Sequence, residues 1–197
     1  MSSSESVPTN SQNWIEKNFS IFEQSLNGGS KLPLHQKRIQ ALDTFKQIGF
    51  PTPALEDWKY TDTTEITDSM FSLVSNPGKL ASVDKYLTPS LDSYKLIFID
   101  GVFNQELSAE TFEAGVKVSN LKSSQKSDAV LSGIVNNNLG TVVSKDEAFS
   151  AVNTAFLNDG LVIEVEKNAS INKPFEVLFI TSNSGINSTI NPRVLVV

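Results

Sequence analysis

Apolar positions in the first fifty residues recur at helical spacing. Ile15, Phe19, Phe22 and Leu26 follow one another at intervals of four, three and four, which lays one stripe along a helix. Asn13, with Glu16 at the third position, predicts the N-terminal cap, and Gly28-Gly29 predicts the stop. A second helix is expected to open at Pro33, a good first-turn residue, and to bury Ile39, Leu42, Phe45 and Ile48. Gly49 suits a left-handed cap and Pro51 cannot continue the hydrogen-bond ladder, so the helix ends there. The stretch "GFPTPALEDWKYTDTTEI" (49–66) then alternates large and polar side chains. Read as extended backbone, it sets Trp58 and Tyr60 on the same side. A short helix is expected around Met70 to Val74.

From Tyr94 the pattern becomes that of strands. "YKLIFIDGVFNQEL" holds Asp100-Gly101 between two apolar runs, the strongest short-range signal for a two-residue hairpin turn. A further strand is expected at Gly115 to Val118. Helical spacing returns from about Asp128 to Leu139, with Leu131, Ile134 and Val135 inward. It returns again behind a capping box of Ser144 and Glu147, with Phe149, Val152 and Phe156 buried. After Asn158-Asp159-Gly160 only strands remain: "LVIEV" (161–165), "FEVLFIT" (175–181) and "RVLVV" (193–197). Polar loops with Lys173-Pro174, Ser184-Gly185 and Asn191-Pro192 separate them. This spacing fits the coils of a stacked β-solenoid or an antiparallel meander, and three strands do not separate the two. The closing "NPRVLVV" (191–197) has the composition of a buried strand. A chain-terminal carboxylate there would be costly to bury, so the strand is expected at an open surface or ahead of further chain.

Composition narrows the function classes. A hydrophobic fraction of 39% in 197 residues suffices for a core, while a net charge of -6 with no block of Lys and Arg argues against a nucleic-acid track or an anionic membrane surface. Absence of cysteine excludes a disulfide framework and any thiolate ligand set in these residues. Residues 1–13 are polar and Ser-rich and lack the basic start and apolar core of a signal peptide, and 1–12 are expected to be disordered. No apolar run approaches the ~20 residues of a membrane helix, so the expected compartment is the cytoplasm. The Asn-x-Ser/Thr triplets at Asn18, Asn168 and Asn187 then read as chance matches.

Candidate chemistry is sparse. His35 is the single histidine, and between Leu34 and Gln36 at a helix start it reads as a surface or packing residue, since general-base work needs an orienting partner. Asp100-Gly101 and Asp159-Gly160 lack the spaced oxygen ligands of a calcium loop and read as turns. Gly28-Gly29-Ser30-Lys31 lies between helices without the strand and Gly-Lys-Ser/Thr of a phosphate loop. Glu56 and Asp57 beside Lys59, followed by Asp62 and Glu65, form an acidic cluster that reads as a solvated loop or, alternatively, as paired carboxylates for acid-base work. No Gly-x-Ser-x-Gly elbow occurs. No catalytic, cofactor-binding or metal-ligating residue is assigned.

Three stretches carry a family resemblance: "RIQALDTFKQIGFPTPALEDWKYTD" (38–62), "LIFIDGVFNQELS" (96–108) and "FSAVNTAFLNDGLVIEVEKNASINKPFEVLFIT" (149–181). The most specific residues are Gly49, Pro51, Thr52, Glu56, Trp58, Lys59, Tyr60 and Thr61, then Val152, Asn153, Thr154, Ala155 and Phe156 running into Asp159-Gly160. Together they resemble the N-terminal portion of the SufD branch of the SufB/SufD family, scaffold subunits of the Suf iron-sulfur cluster assembly system. The resemblance implies an α+β N-terminal domain, here 13–158, followed over 159–197 by the first coils of a right-handed parallel β-helix, incomplete in this chain. It implies pairing with SufB through the β-helix and docking of the ATPase SufC through a C-terminal region absent here, with the cluster assembled by the full complex.

This chain is accordingly expected to be a fragment of a scaffold, to bind no cofactor itself and not to be an enzyme. The family's interfacial histidine lies late in the β-helix, and His35 matches no such position. Trp58, Lys59 and Tyr60 are expected to pin the linker onto the domain, a Trp burying ~150–250 Å², with partner binding as their second reading. Two alternatives stay open: a carbohydrate-acting β-solenoid enzyme using the acidic cluster near Glu56, and a stand-alone binding module.

Overall fold

Helix α1 (Asn10–Ser25) buries Trp14, Ile15, Phe19 and Phe22 along one face, the stripe that the spacing predicts. The computed structural model describes residues 10–74, 76–123, 129–142, 147–182 and 187–197, with backbone alone at 10–13 and 129–131. Asn13 stands inside α1 and not at its cap. Trp14 packs on the Phe71 ring at 5.5 Å and anchors the first turn, so the helix already includes residues ahead of it. Gly28 takes a left-handed φ of 84° and leads into a short 3-10 turn, Gly29–Lys31.

Helix α2 (Pro33–Ile48) starts at Pro33 and ends where Gly49, at φ 65°, donates its N–H to the Phe45 carbonyl. Its buried residues are Leu34, His35, Arg38, Leu42 and Phe45, whereas Ile48 is 42% exposed. The inward face therefore lies nearer the helix start than apolar residues alone suggest, and it includes two polar side chains.

Helix α3 (Thr64–Asp68) opens after Asp62, whose carboxylate accepts the Thr64 N–H at 2.9 Å. The helix expected at 70–74 is instead extended, with strand β1 at Ser72–Leu73. Phe71 and Leu73 both pack against the core, and residues two apart share a face only in extended backbone.

Helix α4 spans Ala129–Asn138, with Val135 buried and Leu139 buried just beyond it; the Leu131 side chain lies outside the described residues. Helix α5 (Ala148–Ala155) is preceded by Glu147 in extended conformation at the cap position. Glu147 is thus not the third residue of a capping box, and Ser144 lies outside the described residues. Ala148, Ala151, Val152 and Ala155 face inward together with Phe156 just beyond the helix, and the small side chains among them let α5 pack along α2.

The remaining strands are β2 (Tyr94–Ile99), β3 (Val102–Asn104), β4 (Val116–Asn120), β5 (Leu161–Val165), β6 (Phe175–Ile180), β7 (Ser188–Thr189) and β8 (Val194–Val196). The hairpin forms as expected: Asp100 at φ 49° and Gly101 at φ 79° give both central residues the positive φ that a type I′ turn requires. One three-stranded sheet has the order β3-β2-β6 and another β4-β5-β8. In each, the middle strand pairs antiparallel with one neighbour and parallel with the other. Strands β5 and β8 lie parallel in one sheet while β6 pairs with β2 in the other, so the three C-terminal strands do not form an antiparallel meander. The chain is α+β, built of helices and small mixed sheets.

Two compact units result, Met1–Leu73 with Val143–Phe156 and Val74–Val142 with Leu157–Val197. The core of the first joins α1, α2 and α5. In the second, β2 is buried on both faces. Leu96 and Phe98 pack with Val116, Leu161 and Ile163 of the other sheet, while Ile97 and Ile99 pack with Val83 and Ile180. That explains why β2 is a continuous apolar run and not an alternating one.

Two contacts in the second unit yield predictions. A Cβ at Gly160 would collide with the carbonyl oxygen of Arg193, which already accepts the Leu161 N–H at 2.7 Å. Gly160→Ala should lower the unfolding free energy by about 1–3 kcal/mol in urea titrations at unchanged m; no loss would show that β5 and β8 do not approach this closely. Glu176 accepts the Thr88 N–H at 2.6 Å and the Ser93 hydroxyl at 2.8 Å, and these bonds, the Thr88 N–H foremost, hold its carboxyl below the ordinary 4.5. A depressed native pKa means stability that is complete above the unfolded value and lost as pH falls through the native one. The stability gap between the wild type and Glu176→Gln should therefore be full at neutral pH and close below about pH 4.5, as read from unfolding curves at stepped pH.

Candidate functional site

The turn that leaves α2 folds back on itself because its carbonyls are used locally. Leu55 donates to the Thr52 carbonyl, Trp58 to Leu55 and Thr61 to Trp58, which winds Glu56–Trp58 into a 3-10 turn. Inside this loop the Thr63 hydroxyl donates to the Pro51 carbonyl at 2.8 Å, in a buried position. The segment is therefore not extended, and Trp58 and Tyr60 do not share a side. Trp58 is half-buried with the Phe149 ring 5.5 Å away, while Tyr60 is 92% exposed. Trp58 pins the loop to the domain as expected, and Tyr60 does not.

Beside Trp58 lies a groove of about 600 Å³, lined by Ile48, Gly49, Pro51, Leu55, Glu56, Asp57 and Trp58 of this turn and by Glu147 and Ala148 at the start of α5. The side chains of Glu56 and Asp57 are exposed and make no hydrogen bond or ion pair among the described residues, while the Glu56 backbone carbonyl accepts the Lys59 N–H at 3.3 Å. Lys59 does not neutralise them; its ammonium lies over the Tyr60 ring, 5.5 Å from the centroid. Glu147 accepts the Ser150 hydroxyl at 2.6 Å.

The acidic cluster seen in sequence thus divides. Glu56 and Asp57 line the groove, whereas Asp62 starts α3 and is held below the usual carboxylate range by the Thr64 hydroxyl and then the Thr64 N–H. Glu65 lies on α3. Acid-base catalysis calls for an oriented and desolvated carboxyl, and Glu56 and Asp57 are neither.

The other candidates are structural. His35 is buried between helices, its Nε2 2.8 Å from Glu23 Oε1 and its ring stacked near Phe19. Arg38, one turn on, is also buried, its guanidinium 5.5 Å from the Phe22 ring centroid, and burial lowers its pKa to about 10. Sequence reading missed Arg38, although positions 35, 38, 42 and 45 form one helical stripe once polar residues are admitted to it. Gly28 to Lys31 is the helix connection that was expected.

Asp100 and Asp159 are both buried and bound to backbone. Asp100 accepts the N–H groups of Gly78 at 2.8 Å and Ser182 at 2.9 Å, together with the Ser182 hydroxyl. Asp159 accepts those of Phe103 at 3.1 Å, Lys122 at 3.2 Å and Gly160 at 2.9 Å. Burial pushes the Asp159 carboxyl up, and the three N–H groups pull against it.

The chain has no cysteine, its one histidine is engaged with Glu23, and among the described residues no three His, Cys, Asp or Glu side chains stand together as a metal site. No helix among the described residues is long and apolar enough to cross a membrane.

Comparison with known proteins gives a consistent picture. Residues 9–177 match the family described as SufBD protein N-terminal region. Over 181 residues the chain is 27% identical to an iron-sulfur cluster assembly SufBD family protein of Synechocystis sp., covering 89% of this chain and 39% of that protein. Over 111 residues it is 33% identical to the iron-sulfur cluster assembly protein SufD of Escherichia coli, covering 56% of this chain and 25% of that one. The chain spans well under half the length of these curated relatives.

Replacing Asp159 by Ala would leave the N–H groups of Phe103, Lys122 and Gly160 without their acceptor. The expected loss is roughly 3 kcal/mol or more in equilibrium unfolding, since each orphaned buried group costs about 1–3 kcal/mol. A loss below about 0.5 kcal/mol, typical of surface substitutions, would show that the carboxylate is dispensable to the fold.

Proposed function

The chain belongs to the SufB/SufD family, as its N-terminal region, and from that premise we propose that it is part of a scaffold for iron-sulfur cluster assembly. The observation that carries this reading is the match over residues 9–177, which takes in both compact units. The names of the Synechocystis and Escherichia coli relatives point the same way.

In this reading the second unit leads into a parallel β-helix. Strand β5 returns as the parallel β8, Leu161 opposite Val194, after an excursion through β6 in the other sheet. Parallel return to the same sheet after visiting another is the path of one solenoid coil, and it supports that expectation. Strand β8 stands at the edge of its sheet with Val194 and Val196 exposed, as a strand awaiting a neighbour would be.

The cluster is cargo and not a resident cofactor of this chain. Its ligands come from other parts of the assembly. The partners are SufB, paired through the β-helix, and the ATPase SufC, docked by a region beyond the stretch matched here; the complex works in the cytoplasm. The chain's own contribution is shape and recognition, with no bond made or broken by its side chains.

The protein containing this chain at full length, co-expressed with SufB and SufC under reducing, anaerobic conditions, should co-purify with both. Separate elution of the three proteins on size exclusion would overturn the assignment.

A further inference from the structure

We infer that the groove beside Trp58 is a docking site for an arginine-bearing peptide segment of a protein partner. One wall is apolar, from Ile48 at the end of α2 through Pro51 and Leu55 to the Trp58 indole, and carboxylates of Glu56, Asp57 and Glu147 line the rest. Ile48 and Leu55 are 42% and 54% exposed, so the described residues leave this surface uncovered. A volume of about 600 Å³ falls in the ~300–1,000 Å³ range of ligand pockets. That is room for several side chains and far more than a single ion needs.

Charge selects the occupant. The Glu56 and Asp57 carboxylates line the groove without a hydrogen bond or ion pair among the described residues, and Lys59 is turned onto Tyr60. A neutral or acidic segment would desolvate these carboxylates and give nothing back, whereas a cationic one is steered in and paired. Between the two cationic side chains, guanidinium suits an aromatic and carboxylate lining better than ammonium does. Its planar fork matches carboxylate geometry bidentately and stacks on indole, while it sheds its hydration more readily. Apolar neighbours of the arginine in the segment would cover Ile48 and Leu55. This inference is independent of the cluster-assembly reading, because binding is measured on this chain with no other component of an assembly present.

The probe is a fluorescein-labelled peptide of sequence Leu-Arg-Leu-Arg-Leu, titrated with the full chain at low ionic strength and followed by anisotropy. Saturable binding is expected, with no binding of the Leu-Glu-Leu-Glu-Leu peptide and several-fold weaker binding of the lysine version. The double substitution Glu56→Gln and Asp57→Asn changes only exposed side chains, and it should weaken the arginine peptide by at least roughly tenfold. Trp58→Phe, which keeps a ring against Phe149, should weaken it by a smaller factor. Glu110→Gln, an exposed carboxylate outside the groove, should leave it unchanged. No saturable binding, an equal loss in Glu110→Gln, or a lysine peptide that binds as tightly as the arginine one would each overturn the proposal.

Discussion

Parallel strands cannot be joined by a turn, and the second unit rests on two parallel pairs, β2 with β6 and β5 with β8. Tyr94 meets Phe175 and Ile99 meets Ile180, so the chain must leave β2, build β3, β4, α4, α5 and β5 and come back in register. The length of the excursion is not the difficulty, because closure entropy rises only with the logarithm of loop length. Register is. A strand with one polar face is held in place by the cost of exposing its apolar side, but β2 is apolar on both, with Leu96 and Phe98 to one core and Ile97 and Ile99 to the other. A slip by one residue would exchange apolar for apolar, so pattern alone resists it weakly.

Buried carboxylates supply the missing specificity. Asp100 follows β2 directly, and it donates its own N–H to the Ile180 carbonyl at the end of β6 while its carboxylate takes the N–H of Ser182 just beyond. Those bonds close only in the observed register. Asp159 does the corresponding work ahead of β5, holding Phe103 of β3 with one oxygen and Lys122, just past β4, with the other. It thereby ties an element of each sheet to the residue that launches β5. Gly160 beside it brings the backbone against Arg193 more closely than any side chain would permit. Such contacts are directional, and an orphaned N–H is penalised wherever the strand is misplaced.

Elements set by local chemistry were legible in the sequence, and elements set by distant partners were not. The start and end of α2 follow from Pro33 and Gly49, and the hairpin follows from Asp100-Gly101; each signal lies within a few residues of its effect. The inward face of α2 was misjudged because His35 and Arg38 are buried through Glu23, Phe19 and Phe22 of another helix. Residues 70–74 read as helical in isolation and are extended because Phe71 and Leu73 both reach the core of the first unit. Sheet membership of the last three strands could not be read at all, since β6 takes β2 as its neighbour across a long sequence separation. At the groove the residue types were visible, but the fold of Glu56–Trp58 was not. Alternation of large and polar side chains imitated a strand in a segment whose carbonyls close 3-10 turns.

The acidic residues show how far environment outweighs identity. Asp100 and Asp159 are buried and occupied by N–H and O–H donors from the chain itself, which leaves them little capacity for anything outside it. Glu56 and Asp57 carry the same functional group on exposed side chains. A carboxylate committed to the fold contributes stability and cannot exchange partners, while one left uncommitted beside an apolar wall contributes little until something arrives. The chain holds no thiol, and its one imidazole is engaged with Glu23. In the turn after α2 such uncommitted carboxylates, Glu56 and Asp57, stand beside the exposed Leu55 and Ile48.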